Sequence, residues 1–185
     1  MAQSYEGMVK EDSDMMVWNR TFETLTEIVE YGRRKHGDFA KELFILDGST
    51  DFIFDLKVWL DDYMEFLEQE EEQEQLEKVC RRLLGLFAWE QASASEIRFR
   101  LALTMLSLNK KKESVDFCER WYGQDENDPS AATALIYAWI ADGRFRDAQK
   151  VADFWMDKED GYTEENAEVF GAAALLHNIS GKSFV

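Results

Sequence analysis

The stretch EIRFRLALTMLSLNKKKESVDFCERWY, residues 96–122, is answered 34 positions later by SAATALIYAWIADGRFRDAQKVADFWM, residues 130–156. The two read as one pattern written twice. Ser114, Cys118 and Trp121 stand against Ala148, Ala152 and Trp155, and ahead of each triplet Leu101, Ala102 and Met105 stand against Leu135, Ile136 and Trp139. A helix returns to one face every three or four residues, so each set forms a single stripe. Two amphipathic helices cannot bury their apolar stripes alone, and a fixed period of this length means units that stack on one another. The pattern predicts an all-α fold of stacked antiparallel helical hairpins.

Within the second copy, Gly143-Arg144-Phe145-Arg146-Asp147-Ala148 sets a Gly, an aromatic two residues on and a small residue three after that. This resembles the inter-helix turn of the tetratricopeptide repeat. The resemblance makes Leu135 and Trp139 inward residues of the first helix of the hairpin. It makes Ala148 the small residue at the helix crossing, with Ala152 and Trp155 packing in the second helix. The first copy carries Asn109 in place of the Gly and Lys111 in place of the aromatic; Asn also tolerates the left-handed conformation. Asp128-Pro129 reads as the start of the following helix. The register extends back to Cys80, Leu84 and Phe87 and forward to Val169, Phe170 and Ala173, so the resemblance covers roughly residues 76–178. It implies a tetratricopeptide-like right-handed superhelix, a short α-solenoid.

Composition agrees with an all-α chain. Of 185 residues, 45% are hydrophobic and 14% aromatic, with a single Pro and ten Gly. That is ample for a packed core and unlike a disordered chain. Two Cys at helical core positions suit packing in a reducing compartment. The sequence shows no leader and no apolar run near the ~20 residues of a membrane span, so the expected location is cytoplasmic. The net charge of −17 argues against nucleic acid as a partner, because phosphate recognition needs a basic face. About half the excess lies in residues 51–75, which hold ten acidic side chains and one basic. That band is either a solvated face or a docking surface for a basic partner.

In chain order, residues 1–14 read as a disordered or frayed terminus. Residues 15–75 read as N-terminal helices carrying the acidic band, and 76–185 as repeats plus a C-terminal helix, all in one continuous domain. Trp18, Phe22, Leu25 and Val29 mark an amphipathic helix that Gly37 stops. Asp38 caps a short helix packing Phe39, Leu43 and Leu46. Ser49-Thr50-Asp51 opens the next helix, whose apolar face is Phe52, Leu56, Trp59, Leu60, Tyr63 and Leu67. The repeat register asks for a turn in 69–75, although no turn residue stands there. The last helix, Glu164 to Asn178, is ended by Gly181 and is apolar nearly all round from Val169 to Leu176. Such a face needs a cover. A homodimer through Val169, Phe170, Ala173 and Leu176 would supply one; the returning tail, Phe184 and Val185, or a partner protein would supply another.

Two sets of residues are candidates for function. Asp61 and Glu65, four apart on one helix, could share a divalent cation with Glu27 and Glu30, as in all-α, Mg²⁺-dependent nucleotide pyrophosphohydrolases. The second set follows from the tetratricopeptide resemblance, which places the concave groove along Glu96, Phe99, Arg100, Leu103 and Ser107, then Ser130, Thr133, Ala134, Tyr137 and Ala141. Members that clamp a peptide's terminal carboxylate carry Lys and Asn there, whereas Phe99, Leu103 and Tyr137 stand here. With Arg98 and Arg100 nearby, such a groove suits an amphipathic helix or an extended apolar segment, unless the N-terminal helices fill it. Phe99, Arg100, Leu103, Thr133 and Tyr137 are therefore the expected partner-binding residues. The expected function is that of a non-enzymatic protein–protein interaction module: an adaptor, a chaperone-like protein or a regulatory subunit. It needs no cofactor, and its partner is a protein or peptide of basic or amphipathic character. A purely structural homo-oligomeric subunit is the further alternative.

Overall fold

A computed structural model of the chain describes residues 15–48, 55–90, 93–158 and 161–182. The described residues form nine helices and no strand, so the fold is all-α. No described helix is long and apolar enough to cross a membrane. The frayed terminus expected for residues 1–14, the helix opening at Ser49-Thr50-Asp51 with Phe52, and the tail residues Phe184 and Val185 lie outside the described residues. The chain divides into two compact units, Met1–Ser93 and Ala94–Val185. The sequence reading set one continuous domain with a change of character at 75/76; the division at 93/94 keeps the hairpin around residue 71 whole.

In the first unit, α1 (Met15–Lys35) buries Trp18, Phe22, Leu25, Thr26 and Val29 and ends on Arg33, Arg34 and Lys35, cations that complement its dipole. The expected helix from Asp38 is shorter than the sequence suggests. Residues 36–43 are turns, Ala40 takes φ 46°, and only α2 (Phe44–Gly48) is helical. Arg33 holds that loop, its guanidinium donating to the carbonyls of Phe39 at 3.1 Å and Ala40 at 2.7 Å. Leu43 and Leu46 are buried as expected, whereas Phe39 stays partly exposed.

Helix α3 (Leu56–Gln69) is capped by Asp55, which accepts from the Val58 N–H at 3.0 Å. Its Trp59 and Tyr63 stack against Trp18 of α1, with ring centroids 5.3 and 5.8 Å away. The turn to α4 (Gln73–Leu86) falls inside 69–75, where the repeat register asks for it. Glu71 occupies the left-handed position at φ 58°. The N–H of Glu72 donates to the carbonyl of Leu67 and that of Glu71 to the carbonyl of Glu68, which is a Schellman closure.

The second unit contains α5 (Ser95–Ser107), α6 (Lys111–Tyr122), α7 (Pro129–Ala141), α8 (Phe145–Met156) and α9 (Ala167–Lys182). The same closure joins both pairs. Asn109 at φ 59° ends α5, with Lys110 N–H on Met105 O, and Gly143 at φ 78° ends α7, with Arg144 N–H on Trp139 O. Asp128 caps α7 ahead of Pro129, accepting from the N–H groups of Ser130 and Ala131. Helix α5 packs on α6 and α7, α6 on α7, α7 on α8 and α9, and α8 on α9. Helix α7 is central, and every residue from Ala131 to Ile136 is buried.

The crossing residues explain why the repeat needs small side chains at one position. Ala148 is wholly buried, and its counterpart Ser114 is wholly buried and donates its hydroxyl to the Ala102 carbonyl at 3.0 Å. A larger residue at either place would separate the two helices. Helix α9 differs from expectation at both ends. It starts at Ala167 and runs through Gly181 to Lys182, because Gly181 keeps a helical backbone and does not take the positive φ of a helix stop.

Candidate functional site

The 34-residue register puts equivalent positions of α5, α7 and α9 in rows. Phe99, Thr133 and Ala167 form one row; Arg100, Ala134 and Glu168 a second; Leu103, Tyr137 and Gly171 a third. Leu106, Ile140 and Ala174 follow, and then Ser107, Ala141 and Leu175. Because α7 packs against both α5 and α9, these rows belong to one neighbourhood of the second unit.

Burial sorts the expected partner-binding residues into two groups. Phe99, Leu103 and Tyr137 are half-buried, each with part of its side chain on the surface. Thr133 is a correction. It is completely buried and its hydroxyl donates to the Pro129 carbonyl at 2.8 Å, so it presents nothing to a partner. The cause is the central place of α7, which has a helix on each side at this level. Arg100 is also drawn inward. Its side chain is 19% exposed and lies 3.6 Å from the carboxylate of Glu96, which is 54% exposed.

The expected dimer surface needs correction as well. Val169, Ala173 and Leu176 are buried within the unit itself, and Phe170 is half-buried with its ring edge-on to Tyr162, centroids 5.5 Å apart. Helix α9 packs against α7 and α8, which cover the face the sequence left unpartnered. Its exposed positions include Glu168, Gly171, Ala174 and Leu175, the last 41% exposed, and then His177, Asn178 and Gly181. The first four, Glu168, Gly171, Ala174 and Leu175, continue the rows of Arg100, Leu103, Leu106 and Ser107. Carrying the groove positions forward by one period, as the core positions are, finds Glu168, Gly171, Ala174 and Leu175. The apolar run Val169–Leu176 concealed them by drawing attention to the buried side of the helix.

Tyr137 of α7 and Glu168 of α9 are electrostatic neighbours on this face. Burial, then the nearby negative charge of Glu168, pushes the Tyr137 phenol above its ordinary pKa. Elsewhere in the unit, an open depression of about 460 Å³ lies beside the α7–α8 turn, lined by residues including Arg144, Phe145, Arg146 and Ser180. Arg144 is committed to the fold there: it pairs with Glu119 at 2.7 Å and Asp147 at 3.1 Å and lies over the Trp139 ring.

Three of the four carboxylates weighed for a divalent cation are otherwise engaged. Asp61 pairs with Lys57 at 2.9 Å, Glu30 pairs with Arg82, and Glu65 accepts from Gln69 at 3.2 Å. Glu27 is exposed beside Ile28 and Tyr31 on α1. Among the described residues, no group of three or more His, Cys, Asp or Glu is placed to hold a metal ion. No protein-family model matches the chain, and neither the curated proteins nor the solved structures contain one significantly similar to it.

Proposed function

We propose that the chain is a tetratricopeptide-like protein-interaction module whose second unit binds a peptide or helix of another protein across α5, α7 and α9. The carrying observation is the set of partly exposed apolar side chains, Phe99, Leu103, Tyr137 and Leu175, drawn from three of these rows on three helices that pack side by side. An aromatic ring fixed by its neighbours and left half open is the kind of anchor that concentrates binding energy. The tetratricopeptide reading is supported by the neighbour order of the helices, by the small residues at Ser114 and Ala148, and by the two identical turns 34 residues apart. Two buried cysteines that form no disulfide with each other, Cys80 and Cys118, suit a reducing compartment such as the cytoplasm.

A peptide library displayed against the whole chain tests this reading. Selected peptides should bind the wild-type chain, and Tyr137→Ala and Leu175→Ser should each weaken them about tenfold. Peptides that bind both variants as well as wild type would place the site elsewhere.

A further inference from the structure

We propose that the segment bound by the α5–α7–α9 face is amphipathic with a basic flank: apolar along one side, with Lys or Arg along the border that meets the starts of the helices. This rests on the interaction reading above and adds the chemistry of the partner.

The face is uncharged at one border and acidic at the other. Toward the helix ends, Leu106, Ser107, Ile140, Ala141, Ala174 and Leu175 carry no charge, and Leu175 is well exposed. Toward the helix starts, the Glu96–Arg100 pair turns its carboxylate outward, since the acid is 54% exposed and the guanidinium 19%. Glu168 is exposed within the first turn of α9, close enough to Tyr137 to act on its phenol. Glu164 and Glu165 are exposed in the turn just before α9. Arg98 is half-buried over the Trp121 ring and Arg100 is drawn inward, so the exposed charges along this border, at Glu96, Glu164, Glu165 and Glu168, are negative. The apolar row asks for an aliphatic or aromatic stripe in the partner. The acidic border attracts a cation beside that stripe and repels a carboxylate placed there. Residues 94–185 hold eleven Lys and Arg against sixteen Asp and Glu, so the second unit itself is net acidic and favours the same kind of segment.

The test is the sequence content of displayed peptides whose binding is lost with Tyr137→Ala. They should carry Lys or Arg on one flank of an apolar stripe, and their affinity should fall as salt rises. Glu168→Lys should weaken them about fivefold at low ionic strength, with Glu168→Gln intermediate and the helical content of both variants unchanged. Tyr137-dependent peptides that are neutral or acidic, or that ignore Glu168→Lys, would overturn the basic flank and leave the binding face standing. A library yielding no Tyr137-dependent peptide would overturn both.

Discussion

At the scale of the residue, one conformation recurs where the chain reverses between paired helices. Gly143, Asn109 and Glu71 all take the left-handed backbone, and each closes its helix with the same pair of hydrogen bonds. Glycine does this without strain, asparagine at modest cost, and glutamate at more. Glu71→Gly should therefore stabilise the first unit by about 1 kcal/mol, and Gly143→Ala should destabilise the second by a similar amount, both read from denaturant midpoints. This is also why the turn after α3 was hard to read. The run Glu68 to Glu74 contains nothing that favours a turn, and only the repeat register pointed there. Two buried groups carry a pH signature. Burial pushes the Cys118 thiol from 9.0 up to about 12 and the Tyr63 phenol from 10.0 up to about 12. The folded chain keeps these protons while the unfolded chain gives them up, so stability falls as pH rises from about 9 to about 12. Cys118→Ala, matching Ala152 in the second copy, should flatten the dependence of the second unit's unfolding midpoint over that range.

At the scale of the element, helices were legible in the sequence wherever apolar residues returned every three or four positions. The stripe of α1 is buried at the residues the spacing marks, and Asp128-Pro129 starts α7 as capping chemistry requires. What the sequence left hidden depends on neighbours. Thr133 stands in register with Phe99, yet it is buried, because α7 has both α5 and α9 packed against it. Helix α9 is apolar on both sides for different reasons. Val169, Ala173 and Leu176 face α7 and α8, while Gly171, Ala174 and Leu175 face solvent. Periodicity alone cannot separate a buried stripe from an exposed one when both are apolar. So the candidate surface was legible in part, at Phe99, Leu103 and Tyr137, and its α9 portion with Glu168 and Leu175 came only from the packed structure.

At the scale of the whole molecule, the chain is two compact units, and the second has a core of its own. Trp121, Leu135, Ile136, Ala148, Trp155, Val169 and Leu176 belong to one continuous cluster that α5 to α9 close around. A fragment of residues 94–185 should therefore fold alone and keep a helical circular dichroism spectrum with a cooperative thermal transition. The central claim is that this unit binds a segment of another protein on the face formed by α5, α7 and α9. The most direct measurement is the calorimetric affinity of a display-selected peptide for the wild-type chain, for Tyr137→Ala and for Leu175→Ser, with folding of each checked by circular dichroism. The account predicts a loss of about tenfold for both variants with the helical signal unchanged. Equal affinities for all three folded chains would contradict it.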